Sequence, residues 1–149
     1  MVAKKKSGSG KLQSGQFETV RRSAPVQKAV VRESRTGKFL VNPQRVNKLF
    51  DLGYSPDEIH RVVAPRRTLD RRKKNEEPLT LAESDRVQRL ERISAMANRV
   101  FDSEEKANRW LRKPCRALDG AVPIDLLTSE TGAHMVEEEL HAIDYGMFF

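Results

Sequence analysis

Apolar residues recur at helical spacing along most of this chain. Val46, Leu49 and Phe50 stand three and four apart, behind Asn42 and Pro43 and ahead of Gly53. An N-cap, a proline at the first helical position and a stopping glycine predict a short helix there. Ser55 and Glu58 have capping-box spacing, so a second helix begins at Pro56 and buries Ile59, Val62 and Val63. Ala64-Pro65 breaks it. A third helix over about Arg66 to Lys74 has Leu69 as its inward anchor. Thr80 and Glu83 form another capping box. Behind it Val87, Leu90, Ile93, Ala97 and Val100 predict a long amphipathic helix from Leu81 to about Phe101. Asp102 and Glu105 are the expected caps of the next helix, which buries Ala107, Trp110 and Leu111 and ends at Pro114. Pro123 opens a short turn of helix. The last helix runs from about Glu130 to Asp144 with Ala133, Val136, Leu140 and Ile143 inward, and Gly146 sits at the glycine-cap position.

The expected fold is all-α, without internal repeats. A helix-turn-helix-like N-terminal domain is joined by a long helix to a small C-terminal helical domain. The expected division is 1–24 as a flexible basic arm, 25–94 as the first domain and 95–149 as the second. The stretch 27–41 is open between extended and helical pieces.

Charge sharpens this division. The 149 residues carry a net charge of +7, unevenly distributed. Residues 1–101 hold 23 lysines and arginines against 11 acids, whereas residues 102–149 hold 5 against 10. A basic part joined to an acidic part points to two surfaces with two partners. The third helix carries Arg66, Arg67, Arg71, Arg72, Lys73 and Lys74 against one acid, Asp70. In a helix-turn-helix the third helix enters the major groove, where arginine reads guanine edges and arginine, lysine and threonine hold phosphates. The candidate DNA contacts are therefore Arg66, Arg67, Thr68, Arg71, Arg72 and Lys73. The alternative is a solvated basic helix.

No catalytic or metal-ligating pattern stands out. His60, His134 and His141 lack metal-site spacing, and Cys115 is the only cysteine. There is no phosphate-binding glycine loop, and Glu137-Glu138-Glu139 reads as a solvated helix face. We expect no enzyme activity, no cofactor and no metal. A lone cysteine, and the lack of any long apolar run, lead us to expect a cytoplasmic protein without a membrane span.

The segment from Val100 to Phe149 resembles the C-terminal toxin-binding domain of the antitoxin Xre/MbcA/ParS family. The resemblance rests on Lys106-Ala107, Trp110-Leu111, the loop with Pro114, Ala117-Leu118, Gly120 and Pro123, then Asp125-Leu126-Leu127, Thr131-Gly132-Ala133, and the Val136 to Leu140 helix before Gly146. "RRTLDRR" and "LTLAESDRVQRLERI" resemble the family's Xre-like N-terminal domain, so the likeness covers about 26–149. Cys115 and Asp119 depart from the asparagine and glycine common in the family's loop.

The resemblance implies a prokaryotic type II antitoxin. Its partner would be a cognate RES-domain toxin that consumes NAD, with its active-site entrance blocked by the antitoxin. It further implies that the toxin–antitoxin complex represses its own promoter by binding operator DNA, nucleoid-associated when so bound. Homo-oligomers and hetero-oligomers with the toxin are expected, since paired modules match two half-sites. The other readings are a free-standing helix-turn-helix regulator with a C-terminal dimerisation domain, and a nucleoid-type basic protein.

Tyr145, Gly146, Met147, Phe148 and Phe149 form an apolar tail. Burying its four large side chains would gain roughly 1.5–3 kcal/mol each, against roughly 1–2 kcal/mol per ordered residue. The tail either inserts beside the toxin's active-site cleft or folds back on its own domain. Trp110 either supports that contact or belongs to the core. Arg112, Lys113 and Arg116, a basic cluster in an acidic domain, either meet toxin carboxylates or are solvated.

Overall fold

In the computed structural model, the described residues are 39–146. The basic arm, all of 27–41 except its last three residues, and Met147, Phe148 and Phe149 lie outside them. Among the described residues every regular element is helical, as the spacing predicts.

Asn42 caps the first element, its Oδ1 accepting from the Gln44 N–H at 2.8 Å. Pro43–Val46 forms a 3-10 turn that runs directly into α1, Asn47–Asp51. Val46 and Leu49 are buried, but Phe50 is 41% exposed. The tight 3-10 start rotates the following helix relative to an ideal α-helical wheel, and the third apolar position falls outside the core. Ser55 and Glu58 form the expected capping box for α2, Pro56–Val62. α3 spans Arg66–Lys74.

α4, Leu81–Phe101, opens on the Thr80–Glu83 capping box. Its 21 residues span about 31 Å. It packs against α1, α5 and α7, burying Val87, Leu90, Ile93 and Ala97. The 39–41 segment crosses its start: the Val41 N–H donates to Ser84 Oγ at 3.0 Å, and the Val41 carbonyl accepts from the Leu79 N–H. In the middle of α4 the Tyr54 hydroxyl donates to the Leu90 carbonyl at 3.1 Å and accepts from Ser94 at 2.8 Å.

The expected cap of α5, Glu104–Leu111, shifts by one residue. Ser103 is the N-cap, its Oγ accepting from the Lys106 N–H. Asp102 is instead the left-handed end of α4, at φ 48°. An aspartate tolerates that conformation through local hydrogen bonding, which frees the neighbouring serine to cap. A 3-10 turn, Arg116–Leu118, and α6, Pro123–Leu126, lead to α7, Glu130–Asp144. Gly146 closes α7 at φ +71°.

One apolar cluster contains Val46, Leu49 and Ile59 together with Leu90, Leu111, Leu127 and Leu140. It runs without a break across residues 94 and 95. Two ion pairs reinforce this continuity: Arg61 meets Asp125 at 2.7 Å, and Arg112 meets Glu58 at 2.8 Å.

Candidate nucleic-acid and partner-binding surfaces

α3 has one buried residue, Leu69. That single anchor fixes the rotation of the helix and sorts its six cations into two sets. Arg67, Arg71 and Lys74, at i, i+4 and i+7, are all exposed and share one side of the helix. Their Cα positions span about 10 Å along the axis. The nearest acid to Arg71 is Glu77 at 3.9 Å. Arg67 and Lys74 make no ion pair among the described residues. Arg66 is exposed too, loosely paired with Asp70 at 3.6 Å. Four basic residues in the last turn face the negative end of the helix dipole, which favours their place there.

The other set is turned inward. Arg72 is 14% exposed; its Nε lies 3.0 Å from Glu83 Oε2 and its Nη1 donates to the Pro78 carbonyl. Lys73 Nζ donates to Asn47 Oδ1 at 2.8 Å. Thr68 is half-buried. Of the six candidate DNA contacts, Arg66, Arg67 and Arg71 thus face solvent, Arg72 and Lys73 are engaged within the fold, and Thr68 is half-buried. Lys74, absent from that set, joins the exposed stripe. Its signal was its register, seven residues after Arg67.

In the C-terminal part, Arg112 is committed to its own chain. Its Nε and Nη2 hold the two Glu58 oxygens at 2.9 and 2.8 Å. Nη2 also reaches the Gly53 carbonyl, and Nη1 donates to the Asn108 carbonyl and Oδ1. Five N–H donors meet five acceptors, which leaves none for a partner. Burial pushes the Glu58 carboxyl up, but its bonds from Arg112 and Ser55 outweigh this and hold it below the usual carboxylate range. Trp110 is half-buried, its ring 5.6 Å from that of Phe101. Lys113 and Arg116 are exposed. Tyr145 is 76% exposed at the end of α7. The candidate residues Met147, Phe148 and Phe149 lie outside the described residues.

The loop before α6 is closed by its backbone. The Cys115 N–H donates to the Ala121 carbonyl, and the Cys115 carbonyl accepts from Leu118 and Gly120. This sets the Arg116–Leu118 turn against α7. A groove of about 400 Å³ lies between them, lined by Ala117, Leu118, Met135, Glu138, Glu139 and Ala142. Across α4, Arg89 is buried and grips Glu130, with Arg92 bridging Glu130 and Glu137. Hydrogen bonds from Arg89, with Arg92 beside it, hold the Glu130 carboxyl below its ordinary range against the effect of burial. No group of three or more histidine, cysteine or acidic residues suited to a metal ion occurs among the described residues. No helix among them is long and apolar enough to cross a membrane.

Residues 96–146 match the family described as the antitoxin Xre/MbcA/ParS C-terminal toxin-binding domain. That match covers the part of the chain from the last turn of α4 to the end of α7. Three curated relatives are similar to just over half of this chain. The Antitoxin Xre of Pseudomonas putida is 44% identical over 84 residues, covering 56% of this chain and 53% of the relative. The Antitoxin Xre of Yersinia enterocolitica is 33% identical over 85 residues, covering 56% and 57%. The Prs ADP-ribosylating antitoxin of a Sphingobium species is 32% identical over 90 residues, covering 54% and 57%. The chain spans about half the length of the curated relatives it matches. The toxin-binding match includes α5, the 116–118 turn, α6 and α7, and therefore the groove.

Proposed function

We propose that this chain is the antitoxin of a type II toxin–antitoxin pair, neutralising a RES-domain toxin that consumes NAD. The observation that carries this reading is the toxin-binding domain match over residues 96–146. The relative named for ADP-ribosylation supports the NAD-using half of it, since NAD is the usual ADP-ribose donor. Neutralisation is steric: the helical C-terminal part covers the toxin's active-site entrance and keeps NAD out. The antitoxin itself performs no chemistry. The 116–118 turn, the exposed Lys113 and Arg116, and the apolar end from Tyr145 onward are its contact surface. Arg112 and Trp110 support that surface from behind.

The second activity is binding of operator DNA, with α2 and α3 acting as a helix-turn-helix within a 25–94 domain. Arg67, Arg71 and Lys74, with Arg66, supply the phosphate and base contacts. Duplex DNA carries one charge per about 1.7 Å of axis, so a cationic stripe about 10 Å long spans several phosphates. Homo-oligomers and toxin-bound hetero-oligomers would place paired stripes on two half-sites. The direct test is NAD turnover by the purified toxin from the same locus, titrated with this chain. Stoichiometric inhibition supports the reading; full turnover at several-fold excess of chain contradicts it.

A further inference from the structure

The acidic segment 117–146 contains seven carboxylates, and the fold neutralises four of them. Glu130 pairs with Arg89 and Arg92, Glu137 with Arg92, Asp125 with Arg61, and Asp144 with Arg99. The other three are Asp119, Glu138 and Glu139, which have no lysine or arginine partner among the described residues. Glu138 reaches only His134, at 3.3 Å.

These three acids gather around one feature. Glu138 and Glu139 line the groove between the 116–118 turn and α7, and Asp119 follows Leu118 at the end of that turn. The groove itself is apolar, with Leu118 buried beneath it and Met135 38% exposed beside it. Met135, Glu138, Glu139 and Ala142 sit at three-, four- and seven-residue spacing, a second stripe on α7 separate from its buried face at Ala133, Val136 and Leu140. Tyr145, one turn further, extends that stripe. Arg116 opens the turn but does not line the groove.

We infer that this groove is where the toxin docks, taking an apolar side chain of the toxin flanked by lysine or arginine. The inference rests on the antitoxin reading above and gives its interface a location and a chemistry. Charge decides the occupant. A segment, 117–146, that pairs its other four acids and leaves Glu138 and Glu139 lining an apolar groove, with Asp119 next in sequence to the buried Leu118, presents negative charge beside a hydrophobic floor. Its complement is a basic surface with an apolar plug, the usual arrangement of buried anchor and charged rim. The chain's own Met147-Phe148-Phe149 could supply apolar contacts but no cation.

The test measures the dissociation constant of the full chain for the purified toxin of the same locus, at low and high salt. Ala142→Trp fills the groove and should weaken binding at least about tenfold. Glu138→Lys combined with Glu139→Lys should weaken it by about as much at low salt, with the difference shrinking at high salt as rim charges are screened. Met135→Asp replaces Ala142→Trp if that variant's melting curve shows unfolding. Tight wild-type binding with unchanged affinity in these variants overturns the groove while leaving the antitoxin reading intact. No binding by the wild-type chain overturns both. If the double lysine variant binds more tightly, and deletion of 147–149 does the same, the groove holds the chain's own tail and the inference is wrong.

Discussion

Arg112 holds Glu58 with two parallel bonds, Nε to Oε1 at 2.9 Å and Nη2 to Oε2 at 2.8 Å, across 54 positions of sequence. The pair joins the end of α5 to the first turn of α2. It therefore ties the toxin-binding match to the helices that precede α4. Glu58 also caps α2, its Oε2 accepting from the Ser55 N–H at 2.7 Å. Losing Arg112 strands a partly buried carboxylate, and hydrogen bonds to charged groups contribute about 1.5–3 kcal/mol each way. Arg112→Ala should lower unfolding stability by roughly 2 kcal/mol in a urea titration at neutral pH. The Glu58 carboxyl is held below its unfolded value, so its contribution is complete above about pH 4.5 and disappears as pH falls through the folded value. Arg112→Ala should consequently flatten the acid side of the stability–pH curve. An unchanged acid limb would show that the pair does not form in solution.

The two sets of cations on α3 should separate in experiment. Replacing Arg67, Arg71 and Lys74 with glutamine should reduce the salt slope of operator binding by about 2.7, at about 0.9 per lost phosphate contact, and leave the melting temperature nearly unchanged. Arg72→Gln should do the reverse. It releases Glu83 and the Pro78 carbonyl and should destabilise by about 1 kcal/mol without altering the slope. A filter-binding series from low to high salt, run beside thermal melts, measures both.

Tyr54 gives a pH signature at the alkaline end. Its ring is 3% exposed, and burial pushes the phenol up to about 12, against the smaller lowering by Ser94. A raised phenol contributes stability that is complete below the unfolded value near 10 and is lost as pH rises through the folded one. Tyr54→Phe should cost about 1 kcal/mol at neutral pH through the lost hydroxyl. It should also remove the extra loss of stability between pH 10 and 12. Denaturant melts at pH 7 and across the alkaline range report both effects.

Gly132 sets how closely α6 approaches α7. A Cβ at this position would run into the Leu126 carbonyl oxygen, which is backbone and cannot rotate away. Gly132→Ala should cost roughly 1–3 kcal/mol by overpacking, even though alanine is the better helix former. Stabilisation of the protein by this substitution would mean that the two helices are spaced more widely than the structure shows.

Much of this fold is legible in the sequence because helix ends carry local signals. Asn42-Pro43, Ser55 with Glu58, and Thr80 with Glu83 each start an element where expected. The failures have local causes as well. Asp102 took the left-handed position and passed the cap to Ser103, and the 3-10 start turned Phe50 outward. The surfaces were less legible. The basic character of α3 was plain, but which cations are free depends on Glu83, Pro78 and Asn47, residues distant in sequence or in other elements. Arg112 looked like part of an exposed cluster until Glu58, 54 residues earlier, claimed it. The unpaired acids at Asp119, Glu138 and Glu139 emerge only after their neighbours' partners on α2 and α4 are known.

The most direct measurement is cellular NAD while the RES-domain toxin proposed as the partner is expressed, alone, with the full chain, and with the chain carrying Arg67→Gln, Arg71→Gln and Lys74→Gln. In the proposed account NAD collapses with the toxin alone and holds with either version of the chain, since the α3 substitutions lie outside the toxin-binding match at 96–146. If NAD falls equally with and without the chain, this protein does not neutralise that toxin, and the antitoxin account is contradicted.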